Sequence, residues 1–97
     1  MAAQRLILEW SRQAEADLEE AVAYIARDNV SAAIAVEERV IDAVQGLERF
    51  PMKGRARATR NARELVVSAT PFVVIYRVAG DRIEIMRVWH TSRDPLA

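Results

Sequence analysis

The residues best suited to chemistry crowd into the last third of this 97-residue chain. Residues 63–94, RELVVSATPFVVIYRVAGDRIEIMRVWHTSRD, space arginines among apolar positions and carry the only histidine, His90, near their end. An imidazole with an ordinary pKa of about 6.5 suits proton transfer near neutrality. A guanidinium holds an anionic oxygen pair with a planar fork of donors. His90 with Arg77, Arg87 and Arg93 is therefore a candidate acid–base and anion-holding set, supplied from one end of a sheet. Each member also has a plainer reading. His90 caps backbone groups at a strand end or packs on Trp89, and Arg77 and Arg87 pair with Glu64 or Glu84 across the sheet. Ser92, His90 and Asp94 cluster as well, but hydrolytic triads are assembled across a fold, and adjacency in sequence speaks against one here.

A second cationic group precedes the strands. Residues 52–62, MKGRARATRNA, contain Lys53, Arg55, Arg57 and Arg60 with no acid, and Arg63 follows directly. The segment has little apolar periodicity and reads as a basic loop. It is one end of a polarity hidden by the zero net charge. Residues 1–50 hold five arginines against ten acids, a balance of −5, while residues 51–97 hold eight arginines and one lysine against four acids, +5. Such asymmetry suits an anionic partner on one half, or pairing between the halves.

Composition excludes other chemistry. Without cysteine there is no disulfide or thiolate site, and one histidine cannot build the usual zinc sets. Three glycines form neither a GxGxxG nor a Walker A pattern, so no cofactor and no metal are implied. No run approaches the roughly 20 apolar residues of a membrane span. The chain reads as a soluble cytoplasmic protein with one domain over residues 1–97.

The elements that must position these residues follow from periodicity. Residues 6–10, LILEW, alternate as a strand with Leu6, Leu8 and Trp10 on one face. Ser11 sits at an N-cap position, and Ala14, Leu18, Ala21, Val22 and Ile25 recur at helical spacing, with Asp17, Glu19 and Glu20 off the stripe. Asp28-Asn29 ends that helix. Ser31 is the expected cap of a second, whose stripe of Ala33, Val36, Val40, Val44 and Leu47 runs to about Phe50, before Pro51. Strands are expected from Leu65, over residues 72–78, and over residues 82–89, with a hairpin turn at Ala79-Gly80-Asp81. In the last strand, alternation puts Ile83, Ile85 and Arg87 on one face and Glu84, Met86 and Val88 on the other. The order is β-α-α-β-β-β, an α+β fold with a helical hairpin packed on a small, mainly antiparallel sheet of three or four strands.

Several of these pieces together resemble the RelE/ParE superfamily of toxins from type II toxin–antitoxin modules. The likeness is carried by Trp10-Ser11 opening onto Ala14, Ala16-Asp17-Leu18 and Tyr24-Ile25, and by Leu47 followed by Pro51 and Gly54-Arg55. It continues through Arg63-Glu64-Leu65-Val66, Tyr76-Arg77-Val78, and Ile83-Glu84-Ile85 to Val88 and His90. The resemblance implies a toxin neutralised by a cognate antitoxin. Its ParE-like members poison DNA gyrase, and its RelE-like members cleave mRNA in the ribosomal A site. For RNA cleavage, Arg77, His90 and Arg93 are the catalytic candidates. Such nucleases, however, typically carry an arginine where Val73 stands. An apolar strand running into Tyr-Arg-Val and a strand ending in Val-x-His are ParE-like traits. The resemblance therefore implies gyrase inhibition by binding, with no catalytic residue and with target contacts on the C-terminal segment and an exposed helix face. The ribosome-dependent endonuclease is the first alternative, and a non-toxic antitoxin-binding module the second. Lys53, Arg55, Arg57, Arg60, Arg63 and Arg87 are the candidate anion- or antitoxin-binding residues. With no aromatic residue for base stacking in the loop, an acidic antitoxin tail is favoured there over nucleic acid.

Overall fold

A computed structural model of the chain describes residues 6–58 and 61–93. Its elements are β1 (Ile7–Trp10), α1 (Arg12–Ala26), α2 (Val30–Gly46), β2 (Arg55–Ala56), β3 (Arg63–Val66), β4 (Phe72–Ala79) and β5 (Arg82–His90), followed by a 3-10 turn at Thr91–Arg93. The strands form one five-stranded sheet in the order β1-β5-β4-β3-β2, with β1 parallel to β5 and the other pairs antiparallel. The expected α+β class is found. The expected strand count falls short, because β2 lies inside the segment read as a loop.

Two caps set the helical hairpin. The Ser11 hydroxyl accepts from the Ala14 N–H at 2.9 Å, as its position predicts. The second cap is Asn29 rather than Ser31: Asn29 is extended (φ −157°, ψ 102°) and its Oδ1 accepts from the Ala32 N–H at 3.0 Å, which starts α2 at Val30 and leaves Ser31 in the first turn. The helix stops at Gly46, four residues short of the expected Phe50, and residues 47–49 continue as turns. Val40, Val44 and Leu47 of this region meet Tyr76, Val74, Ile83 and Ile85 of the sheet in a core whose members are fully buried. Each large aliphatic side chain removed from water on this face contributes about 1.5–3 kcal/mol.

The β4–β5 hairpin turns through Gly80 and Asp81, with Gly80 at φ +64°, a conformation that suits a residue lacking Cβ. That turn pairs Ala79 with Arg82 and Arg77 with Glu84, but register shifts farther along. Tyr76 faces Ile85 while Ile75 faces Arg87, so Met86 is the extra residue of a β-bulge. The bulge corrects the simple alternation. Val88 joins Ile83 and Ile85 in the helix-covered core, whereas Met86 and Trp89 cover Val73, Ile75 and Ala62 in a smaller cluster on the opposite face.

Candidate functional site

Beside the bulge, helix α1 takes over an edge that β1 leaves. β1 accompanies β5 only from Arg82 to Ile85. Beyond it, the Ser11 N–H donates to the Ile85 carbonyl at 2.9 Å, and the Ser11 hydroxyl donates to the Met86 carbonyl at 2.9 Å. Six residues on, Asp17 accepts from the Val88 N–H at 3.0 Å and from Arg87 Nε and Nη2 at 2.8 and 3.1 Å. Hydrogen bonding to this carboxylate raises the Arg87 guanidinium above its ordinary range; burial opposes it, and the carboxylate's charge adds a smaller upward push. The sequence reading placed Asp17 off the buried stripe and paired Arg87 with a sheet glutamate. Instead Asp17 is the helix's anchor to β5.

Past that anchor a groove of about 630 Å³ opens between α1 and the end of β5, lined among others by Glu20, Tyr24, Phe72, Trp89 and His90. His90 stacks edge-on against Phe72, centroids 5.4 Å apart, not on Trp89. Its Nδ1 accepts from the Ser92 N–H at 3.2 Å and lies 2.7 Å from the Ser92 hydroxyl. An Nδ1 that accepts from an amide puts the proton of the neutral ring on Nε2. Ser92 and His90 thus do meet. Asp94 lies outside the described residues, and Arg93 is placed only as the last residue of the 3-10 turn.

Arg77 is not part of this end. It sits opposite Glu84, near the hairpin turn, while Phe72 pairs with His90. Five residues of β4 separate the two positions, roughly 17 Å at about 3.4 Å per residue. The Arg77 Nε donates to Glu84 Oε1 at 2.5 Å; that bond raises the guanidinium and lowers the Glu84 carboxyl. The expectation that Arg77 and His90 act from one end of the sheet is therefore corrected by the hairpin register.

The basic segment forms a second site on the far edge. Arg55 and Arg57 both reach Glu64, at 2.6 and 3.0 Å. The Arg57 guanidinium also lies 6.0 Å from the centroid of the Trp89 ring, and the Arg87 guanidinium, two residues before that tryptophan, lies 5.0 Å from the same ring. Arg63 donates to the Gly54 carbonyl at 2.7 Å. The segment is pinned by Tyr76, which is fully buried: its hydroxyl accepts from the Gly54 N–H at 2.8 Å and donates to the Pro51 carbonyl at 2.7 Å. Burial raises the Tyr76 hydroxyl pKa, with the Gly54 bond opposing, so the proton needed for Pro51 is retained. Replacing Tyr76 by phenylalanine is expected to cost about 1–3 kcal/mol, the penalty of a buried Gly54 N–H and a partly buried Pro51 carbonyl losing their partner; urea unfolding of the two proteins measures it. Lys53 is exposed, and Arg60 lies outside the described residues. The structure thus gathers Lys53, Arg55, Arg57 and Arg63 at one edge and Arg87 and His90 near α1. Tyr24, 63% exposed on the groove, and Glu64 were not singled out as site residues by their spacing.

Comparison with known proteins gives this geometry its relatives. Residues 8–95 match the family model described as the ParE toxin of the type II toxin–antitoxin system parDE. The toxin-designated protein Y4kP of Sinorhizobium fredii is 36% identical over 86 residues, covering 89% of this chain and 88% of its own. Toxin RelE2 of Caulobacter vibrioides is 37% identical over 84 residues, covering 87% and 93%. Among solved structures, a chain of the chromosomal ParDE toxin–antitoxin system of P. aeruginosa superposes with a TM-score of 0.77 at 25% identity, covering 91% of this chain and 98% of that one. A chain of the RelBE2 complex of Mycobacterium tuberculosis shares the fold, with a TM-score of 0.61 at 19% identity and coverage of 92% and 94%.

Proposed function

Because the chain belongs to the ParE toxin family of type II toxin–antitoxin systems, we propose that it arrests growth by binding DNA gyrase, without covalent chemistry, and that a cognate antitoxin neutralises it. The observation that carries this reading is the fate of the positions an RNA-cleaving site would use. Val73, where nuclease-like relatives typically place an arginine, is buried at 4% exposure beneath Met86 and Trp89. Arg77 is paired with Glu84 at the end of the hairpin away from His90. In-line cleavage requires a base, cations and an acid around one phosphate, and these side chains are spread along a strand. The α1–β5 groove instead presents apolar and aromatic surface from Tyr24, Ile25, Phe72 and Trp89 with a few polar groups among it, the character of a protein-binding site. Its lining joins an exposed face of α1 to the C-terminal end of β5, the two regions assigned to target contacts.

Induced expression of the chain without its antitoxin, with pulse-labelling of DNA and protein synthesis, tests the proposal. DNA synthesis is expected to stop first, and the purified chain to inhibit gyrase supercoiling. Exchange of His90 for alanine should weaken both effects by no more than about tenfold, the scale of one lost packing contact in the groove, whereas an essential acid or base contributes on the order of 10²–10⁴-fold. Early arrest of translation, abolished in His90→Ala, would transfer the target to the ribosome and its mRNA. That rival draws on the position of the His90 ring in the groove.

A further inference from the structure

The four serines of the chain are not equivalent. Ser11 donates its hydroxyl to the Met86 carbonyl and caps α1, while Ser31 and Ser68 are exposed to solvent. Ser92 instead places its hydroxyl 2.7 Å from His90 Nδ1. Its N–H donates to the same nitrogen at 3.2 Å, so the neutral ring keeps its proton on Nε2 and turns the Nδ1 lone pair toward the hydroxyl. A hydroxyl hydrogen-bonded to a base that is itself held in place is the arrangement of an activated nucleophile. Phe72 holds the ring edge-on, and the Thr91 N–H ties the turn to the Pro71 carbonyl at 2.8 Å. Both Ser92 and His90 line the α1–β5 groove, where Ala21, Tyr24, Ile25 and Phe72 supply apolar wall. Its volume, about 630 Å³, lies in the range of small-molecule sites.

We propose that Ser92 is an acylation site, which takes the acyl group of an activated thioester whose apolar chain lies in the groove, with His90 as general base. The Oγ lone pair forms the bond to the acyl carbon while Nδ1 takes the hydroxyl proton. The tetrahedral adduct then expels the thiolate, which receives that proton from Nδ1. A thiol leaves and an ester remains on Ser92. Among the described residues no carboxylate bonds to Nε2, so the imidazolium lacks the partner that a hydrolytic triad provides. A thiolate is a good enough leaving group to keep that imidazolium short-lived, which is why the donor must be activated. For the same reason the ester is a lasting modification, formed once, and not the intermediate of a turning-over hydrolase. An acyl chain in the groove covers Tyr24 and Phe72. In the gyrase reading this masks the target surface, and only that consequence rests on the reading.

The test incubates the purified chain with the octanoyl thioester of N-acetylcysteamine and locates ester adducts by peptide mass spectrometry. Amides on Lys53 and the N-terminal amine are counted apart. Ser92 is expected to be acylated at least about tenfold faster than Ser31 or Ser68, the low end of what a positioned base supplies. His90→Gln should slow Ser92 labelling by about tenfold or more, leaving Ser31 and Ser68 unchanged. Ser92→Ala should remove that ester alone. The acetyl thioester has no chain to fill the groove, so its preference for Ser92 over Ser31 should be about tenfold smaller than the octanoyl donor's. Should His90→Gln not fold, the comparison among serines and between the two donors carries the decision on the unaltered chain. Equal labelling of Ser92, Ser31 and Ser68 overturns the proposal, as do adducts confined to amines. Full-rate labelling of Ser92 in a folded His90→Gln, or equal preference with the acetyl donor, also overturns it. None of these readouts involves gyrase or growth, so the acylation proposal and the toxin reading fail separately.

Discussion

Replacing Asp17 by alanine is expected to destabilise the fold by about 2–4 kcal/mol, the largest effect of any single polar substitution in the helices. The carboxylate is nine-tenths buried and accepts three charge-assisted bonds, two from Arg87 and one from the Val88 N–H. Arg87 is 37% exposed and recovers part of its loss from water, so the three bonds are not worth their sum. The remaining cost is structural. β1 does not extend past Ile85, and Asp17 is what gives β5 a backbone partner at Val88. For a chain of this size each kcal/mol moves the melting temperature by about 4–8 °C, so the variant should melt about 10–25 °C lower. Asp17→Asn retains an acceptor for Val88 and should lose about half as much. Urea unfolding of the three proteins checks the order. A loss under about 1 kcal/mol for alanine would mean that packing alone holds α1 against β5. The same anchor forms one wall of the groove, so the proposed gyrase inhibition should weaken in Asp17→Ala even at temperatures where the protein remains folded.

What the sequence revealed and what it hid divide along one physical line. Features set by neighbours in the chain were readable: the Ser11 cap before an apolar stripe, the tight turn at Gly80-Asp81, and the alternation of Leu6, Leu8 and Trp10, which pack against the main core. Features set by distant partners were not. β2 is two residues among arginines, and it exists because Glu64 and the Tyr76 hydroxyl hold that segment to the sheet. The Met86 bulge inverts the faces of everything after it, so strict alternation assigned Val88 to the wrong side. Asp17 looked like a solvated acid because its partners are 70 and 71 positions away. The distance between Arg77 and His90 was, however, within reach. A two-residue turn at Gly80-Asp81 pairs Ala79 with Arg82, and counting outward from it sets Arg77 opposite Glu84, well short of His90. The family resemblance gave the fold and the toxin class ahead of any of these contacts, because order and spacing over nearly the whole chain are a stronger signal than any one residue.

Gly54→Ala is expected to cost about 3 kcal/mol and, beyond stability, to change the sheet edge it helps to shape. A Cβ at this position would stand 2.6 Å from both Cε1 and the hydroxyl oxygen of Tyr76 and 2.9 Å from the Glu64 carbonyl oxygen. The tyrosine cannot swing aside, since it is fully buried and its hydroxyl is committed to Pro51. The carbonyl is backbone, so no rotamer relieves that contact. The segment must therefore move, and the 2.8 Å bond from the Gly54 N–H is lost with it. Combining Gly54→Ala with Tyr76→Phe should cost less than the two separate losses added, because the phenylalanine removes one of the close contacts and both changes break the same bond. Urea unfolding of the three variants gives that coupling. The movement also bears on Val66. Tyr76 draws Gly54 away from the edge and leaves the position opposite Val66 vacant. A released segment can bring Lys53 alongside Val66 and lengthen β2 by pairing within the chain. Slowed exchange at the Val66 amide in Gly54→Ala would show that the tyrosine clasp is what ends β2 at Arg55.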